Sequence, residues 1–185
     1  VKSFFVNVLS IIIIIINIIN MDEITQELMN VKFPRSYYRK SVMQEDQKSY
    51  EGFVLGDIYS WAHKDVKITG PGIRKSRRHE EHKYDKLWDL TQNIAQHIEY
   101  TSVQYNRNQK CKKHIDGNNT GISTIIGLGD YQGGELLVYY DGEDGEPHVI
   151  DIKNKFYSFD GAKYFHETND FTGSRFSLVF FNRHH

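Results

Sequence analysis

The chain has 185 residues, 39% hydrophobic and 14% aromatic, which suits one domain with a sizeable core and excludes disorder throughout its length. Its 23 basic and 24 acidic residues give a net charge of −1, which excludes a uniformly polycationic protein but not a local basic patch. The single cysteine, Cys111, excludes an internal disulfide framework and a cysteine-rich zinc module, and it fits a reducing, intracellular compartment.

The N-terminal segment differs from the rest of the chain. Residues 4–19 read FFVNVLSIIIIIINII, an apolar run somewhat shorter than the roughly 20 residues that span a membrane. A membrane anchor is one interpretation, and an upstream stretch or the edge of a fragment is the one we favour. We therefore treat residues 1–20 as a separate low-complexity segment.

Residues 21–100 are predicted to form a helical and irregular support. Asp22 can cap a short helix that ends at Met29. Residues 31–60 show no clear periodicity, and residues 63–83 have the composition of a loop. That loop carries a basic cluster made of Arg74, Lys75, Arg77 and Arg78.

A second helix is predicted from Asp85 to about Tyr100. Its apolar residues recur three or four positions apart, which gives one stripe suited to packing on a sheet. The stripe consists of Leu87, Leu90, Ile94 and Ile98.

Short β-rich segments fill the remainder of the chain, residues 101–183. Gly, Asn and Asp turns separate them, and Asp-Gly occurs four times. This spacing predicts a mainly β domain with flanking helices, in which antiparallel strands form a sandwich or a barrel. The predicted strands are residues 101–105, 122–128, 135–140, 148–152, 156–159 and 176–181.

Three side chains are the candidate metal ligands. His114 and Asp116 are two positions apart in an extended segment, so both side chains point the same way. His166 comes directly before the last predicted strand. Two imidazoles and one carboxylate can occupy one face of an octahedron and leave three positions open, the arrangement of non-haem Fe(II) sites.

Arg175 and Ser177 are the candidate anion ligands. Apolar residues flank Arg175 in the run GSRFSLVFF, so its guanidinium is expected to point inward, where it requires an anion. Ser177 faces the same side and can donate a hydroxyl. A structural salt bridge is the alternative. Gly133 and Gly134, which come directly before the predicted strand at residues 135–140, allow a sharp bend.

Together these features resemble the iron(II)- and 2-oxoglutarate-dependent dioxygenases. His-x-Asp at 114 and 116, GGEL at 133–136, His166 and RFS at 175–177 stand in the family's order. GGEL is similar to the prolyl-hydroxylase branch, and the closing strand resembles the ten-eleven-translocation and J-base hydroxylase branch. Tyr105-Asn106-Arg107 resembles AlkB-type enzymes. The longer runs NRNQKC and GLGDYQGGEL resemble uncharacterised proteins of protists, algae and large viruses.

The resemblance implies a double-stranded β-helix, that is, a cupin-like jelly roll. It also implies Fe(II) held by His114, Asp116 and His166, with 2-oxoglutarate chelating the iron and its distal carboxylate held by Arg175 and Ser177. Many animal prolyl hydroxylases use lysine in the place of that arginine. Tyr105 and Asn106 are secondary cosubstrate candidates. Oxygen would convert 2-oxoglutarate to succinate and CO₂ and leave a ferryl that abstracts hydrogen from the substrate.

The substrate class stays open at this point. Four cations precede His114 without an intervening acid, which suits an anionic substrate such as nucleic acid: Arg107, Lys110, Lys112 and Lys113. A solvated basic loop explains them equally well, and hydroxylation of a protein side chain is the other option. An inactive jelly-roll binding module and a cupin-like metalloenzyme that does not use 2-oxoglutarate are the competing functions.

Overall fold

The computed structural model describes residues 2–37, 39–45, 47–60 and 72–183, with side chains from residue 10 onward, except that of residue 60. Part of the predicted loop over 63–83 lies outside these residues. The helices are α1 (Lys2–Asn30), α2 (Arg77–Glu80) and α3 (Asp85–Ile94). The strands are β1 (Arg35–Ser36), β2 (Tyr50–Ser60), β3 (Gly72–Lys75), β4 (Ser102–Arg107), β5 (Thr120–Leu128), β6 (Tyr131–Gly133), β7 (Leu136–Tyr139), β8 (His148–Ile150), β9 (Tyr157–Phe159), β10 (Phe165–Thr168), β11 (Phe171–Gly173) and β12 (Phe176–Asn182).

The strands form a mainly β architecture with helices on one side, as predicted. The major sheet has the order β1-β2-β4-β12-β5-β9, with β3 paired to β2. A smaller sheet has the order β10-β7-β8, and β11 pairs with β6. All the registered strand pairs are antiparallel, as in a jelly roll.

Helix α3 packs on the outer face of the major sheet, as predicted, but it ends at Ile94 and not near Tyr100, so Ile98 of the apolar stripe lies beyond the helix. Leu87 and Ile94 are buried in the core between helices and sheet, and Leu90 and Ile98 pack against that core. The hydroxyl of Thr91 is 2.8 Å from that of Tyr105 and so links α3 to β4.

Helix α1 differs from the prediction. It is continuous from Lys2 to Asn30, so Asp22 lies inside the helix and does not cap its start. Ile24 and Leu28 are fully buried in the core against α3. The eight isoleucines between residues 11 and 19 are each about half exposed.

Within the described part of the chain, no helix is both long enough and apolar enough to cross a membrane. The division at residues 20 and 100 stays a prediction, although β2 is hydrogen-bonded to β4 in the major sheet.

Strand β12 has one face toward the helix-side core and the other toward a cavity. Phe176, Leu178 and Phe180 belong to the helix-side core. The alternate residues Ser177, Val179, Phe181 and Arg183 line a cavity of about 360 Å³ on the inner face of the sheet. This alternation is the period of two expected for a strand.

Candidate metal and cosubstrate site

The three predicted metal ligands come together at one side of the cavity. One ligand atom from each of His114, Asp116 and His166 lies within 4.8 Å of the others. The Nε2 atoms of His114 and His166 are 3.7 and 3.6 Å from the carboxylate oxygens of Asp116. Ile115, between the first two ligands, is 44% exposed, so the alternation predicted for this segment is confirmed.

Backbone carbonyls orient both imidazoles. The Nδ1 atom of His114 is 2.6 Å from the carbonyl oxygen of Lys112, and the Nδ1 atom of His166 is 3.0 Å from that of Tyr164. A carbonyl only accepts, so each Nδ1 carries the hydrogen and each Nε2 keeps a free lone pair. In metal sites, a hydrogen bond from the ring nitrogen that does not bind the metal fixes the tautomer of the histidine ligand. The donor set therefore fits a divalent transition metal.

Electrostatics favour the forms that bind a metal. Burial lowers the pKa of His114, and the neighbouring His166 lowers it further, so the neutral imidazole is favoured. Burial by itself would raise the pKa of Asp116. The neighbouring imidazoles of His166 and His114, together with the charge of Arg39, outweigh that effect and hold the pKa of Asp116 below its ordinary value.

Arg175 is buried, with 2% of its surface exposed. Its Nε donates to the carbonyl of Gly134 at 3.2 Å, and its guanidinium lies 5.5 Å from the ring centres of both Tyr131 and Phe171. Burial lowers its pKa. No carboxylate pairs with Arg175 among the described residues, so the salt-bridge alternative from the sequence finds no partner there. An unpaired buried guanidinium is costly and favours an anion beside it.

The GGEL turn has a physical explanation at Gly134. Its φ is +70°, a left-handed conformation that favours glycine. A Cβ at this position would lie 2.8 Å from Nε of Arg175. Glycine therefore lets the backbone carbonyl approach and orient the guanidinium.

Ser177 and Asn106 line the cavity in one hydrogen-bonded group. Asn106 Nδ2 donates to Ser177 Oγ at 3.1 Å, and its Oδ1 accepts from Gln104 at 2.9 Å and from the hydroxyl of Tyr50. Tyr50 and Cys111 also line the cavity, and the charge of Arg175 acts on both. Arg175 precedes Ser177 by two positions and so faces the same side of the strand, but it is not itself among the residues that line the cavity.

The prediction for Tyr105 is wrong. Tyr105 is fully buried in the helix-side core, where its ring stacks on Phe53 and its hydroxyl meets Thr91. Successive residues of a strand face opposite sides, so only one of Tyr105 and Asn106 can reach the cavity, and it is Asn106.

The four basic side chains before His114 do not line the cavity, although Cys111 among them does. Arg107 pairs with Glu51 at 2.8 Å and covers the ring of Phe33. Lys110 pairs with Asp170. Lys113 donates to the carbonyl of Glu143 at 2.8 Å.

These partners give Arg107 and Lys110 a structural role, and their contact with substrate stays a prediction. Lys113 is likewise held by the fold, through its bond to a backbone carbonyl. For Lys112 the substrate contact stays a prediction.

Two cavity arginines were not predicted from the sequence. Arg39 donates to Oε1 of Gln104 at 2.6 Å, and Arg183 donates to the carbonyl of Asn118 at 2.6 Å. Both line the cavity that holds the metal triad. Arg183 continues the alternation by which every second residue of β12 faces the cavity, so the sequence does contain a signal for it. Arg39 lies in a segment without periodicity.

Solved structures share this fold. An oxidoreductase of the 2OG-Fe(II) oxygenase family from Burkholderia pseudomallei superposes with a TM-score of 0.52 at 15% identity, covering 89% of this chain and 77% of that one. The chain has the fold of a 2OG-Fe(II) oxygenase. OsALKBH1 superposes with a TM-score of 0.51 at 13% identity, covering 89% of this chain and 91% of its own. The resemblance inferred from the motifs is therefore confirmed at the level of the fold.

No family model and no curated protein matches the sequence. The 2OG-Fe(II) oxygenase fold is therefore identified by superposition on solved structures. The candidate site residues rest on the distances and burial within this chain.

Proposed function

We propose that this protein is an Fe(II)- and 2-oxoglutarate-dependent oxygenase that hydroxylates a C–H bond of its substrate. One observation carries the proposal. The cavity has a preorganised His-Asp-His donor set, and Ser177 of its wall comes two positions after Arg175, which is buried and has no carboxylate partner among the described residues. A metal and a dicarboxylate together satisfy both features, which neither would do alone.

In this proposal His114, Asp116 and His166 hold Fe(II). Arg175 and Ser177 bind the distal carboxylate of 2-oxoglutarate, and Asn106 orients the Ser177 hydroxyl. Tyr131 adds a donor, because its buried hydroxyl has no hydrogen-bond partner among the described residues and Arg175 lies beside its ring.

When bound, Fe(II), 2-oxoglutarate and O₂ supply the oxidation that converts a C–H bond to C–OH and releases succinate and CO₂. The protein's part is to hold these groups, exclude water and present one C–H bond. The apolar side chains of Ile125, Leu136, Phe159 and Val179 line the cavity and suit that task. A protein side chain and a nucleobase are the two substrates suggested by the resemblance.

Two other functions make different predictions for the same protein. An inactive binding module has no need of the complete triad together with Arg175. A cupin-like metalloenzyme that does not use 2-oxoglutarate gives a buried, carboxylate-free guanidinium no task.

Succinate formation separates the three. The Fe(II) protein is incubated under air with and without 2-oxoglutarate, and the His166→Ala variant serves as the control. We expect succinate only from the wild-type protein with 2-oxoglutarate, including slow formation without prime substrate. No succinate above the level of the His166→Ala control would reject the proposed function.

A further inference from the structure

Arg39 and Arg183 form a second cationic group in the cavity, apart from Arg175. Each lines the cavity, and no carboxylate within the described residues forms an ion pair with either one. Arg39 donates to Gln104 and lies 3.4 Å from the hydroxyl of Tyr50. The guanidinium of Arg183 donates to the carbonyl of Asn118, and its Nε is buried without a hydrogen-bond partner among the described residues.

Both arginines line the cavity that contains the metal triad. Burial lowers the pKa of Arg183, Asp116 opposes that effect, and the charge of Arg39 adds to it. Arg39 also acts on Asp116 and His114. Two like charges that share a cavity raise each other's energy unless an anion lies between them.

The charges of the proposed cofactors leave these arginines uncompensated. Divalent iron, the 2-oxoglutarate dianion, Asp116 and Arg175 together carry no net charge. The remaining cavity carboxylate, Glu167, accepts a hydrogen bond from Tyr139 and can offset only one of the two arginines. At least one positive charge therefore remains for the substrate.

The location of the charge favours a small molecule over a polynucleotide. Binding of a nucleic acid backbone requires several free cations along a track. Here Arg107 and Lys110 are already paired with carboxylates, and Lys113 is held by a backbone carbonyl. Arg39 and Arg183 instead line a cavity of about 360 Å³, which must hold the cosubstrate as well.

We propose, on the basis of the oxygenase function proposed above, that the substrate is a small acid whose carboxylate or phosphate group binds Arg39 and Arg183. This group anchors the molecule at the cavity so that a neighbouring C–H bond faces the metal triad. The shared chemistry is a compact oxyanion that accepts bonds from two guanidiniums.

The test uses Mn(II) in place of iron, so that the full-length protein binds ligands without oxidising them. With 2-oxoglutarate present, inorganic phosphate is titrated and its ³¹P relaxation is measured. We expect saturable relaxation by Mn(II), because the phosphate lies close to the metal. Arg39→Gln and Arg183→Gln should each weaken phosphate binding by about 10-fold or more. Acetate as a competitor reports whether the site also accepts a carboxylate.

Arg77→Gln is the matched control, because Arg77 is 89% exposed and pairs with Glu81 on α2. It should leave phosphate binding unchanged. Arg39→Lys and Arg183→Lys keep the charge and should retain part of the affinity, which keeps the test informative if a glutamine variant is unstable. Equal phosphate binding by the wild type and both glutamine variants would overturn the proposal. Binding of a single-stranded oligonucleotide that depends on both arginines, without binding of free phosphate, would also overturn it.

Affinity for 2-oxoglutarate distinguishes this proposal from the one on which it rests. Arg175→Met should lower that affinity, whereas Arg39→Gln and Arg183→Gln should not. If the reverse holds, the two arginines are the cosubstrate site and the small-acid proposal fails. If 2-oxoglutarate binds to none of these proteins while phosphate still depends on Arg39 and Arg183, the oxygenase function fails and the anion site stands.

Discussion

His114 and His166 lie directly opposite each other and exchange two backbone hydrogen bonds. The amide of His114 donates to the carbonyl of His166 at 3.0 Å, and the amide of His166 donates back at 2.9 Å. In such an antiparallel pair the two side chains project from the same face. The backbone therefore brings together two imidazoles that are 52 residues apart, with ring centres separated by 4.3 Å.

His114→Ala should remove metal binding while the fold persists. Two remaining ligands hold a labile divalent ion poorly, and loss of an outer contact alone costs roughly 10- to 100-fold in affinity, so we expect a loss greater than about 100-fold. Anaerobic calorimetry with Fe(II) measures it. His82→Ala is the control, because the side chain of His82 is 76% exposed and pairs with Asp85. Unchanged iron affinity in His114→Ala would rule out the metal assignment.

Adjacent residues of β4 should behave differently. Tyr105→Phe removes the bond to Thr91 in the core and should lower the free energy of unfolding by about 0.5–1.5 kcal/mol without changing 2-oxoglutarate affinity. Asn106→Ala removes the partner of Ser177 and should weaken 2-oxoglutarate binding. Urea unfolding and anaerobic titration of both variants check this. A weaker cosubstrate affinity in Tyr105→Phe alone would reverse the assignment.

Gly134→Ala should disturb Arg175 from the backbone side. The new methyl group would collide with the Arg175 side chain, and the left-handed conformation costs alanine roughly 1–2 kcal/mol. Gly121→Ala is a close control, because Gly121 has the same φ of +70° but open space around it. Both variants should lose stability, and only Gly134→Ala should lose 2-oxoglutarate affinity. Equal affinities in the two variants would mean that Gly134 does not position the guanidinium.

Leu87→Ala should reduce stability without affecting the metal site. Leu87 is fully buried between α3 and the major sheet, so truncation should lower the free energy of unfolding by roughly 2–5 kcal/mol. Equilibrium urea unfolding measures the loss, and Fe(II) calorimetry on the folded variant should match the wild type. A cost below about 0.5 kcal/mol, the range typical of surface substitutions, would contradict the packing of α3.

Residue patterns predicted the site better than they predicted its surroundings. His114, Asp116 and His166 could be identified because their residue types, spacing and order match those of the family that the chain resembles, although His166 lies within β10, a strand that the sequence did not predict. Tyr105 and Asn106 are both candidates from the sequence, because the register of β4, which decides which of the two faces the cavity, depends on its neighbouring strands.

Strand β2 was missed for a different reason. Gly52 and Gly56 interrupt its alternation, and both are required where β2 approaches β4, since a Cβ on Gly56 would lie 2.2 Å from the carbonyl oxygen of Thr101. Arg39 was missed because its segment has no periodicity, and only the tertiary fold brings it beside Gln104. Such contacts depend on distant residues and have no local signal.

The central claim is that Arg175 binds 2-oxoglutarate beside a metal held by the triad. Anaerobic titration of the Fe(II) protein with 2-oxoglutarate tests it most directly, with Arg77→Met as the control. Arg175→Lys keeps the charge but loses the two-pronged contact, and should bind about 10-fold more weakly, while Arg175→Met should approach about 100-fold. Iron affinity should be unchanged in both. Binding of 2-oxoglutarate by both variants as tightly as by the wild type would contradict the account and favour a metalloenzyme that does not use 2-oxoglutarate.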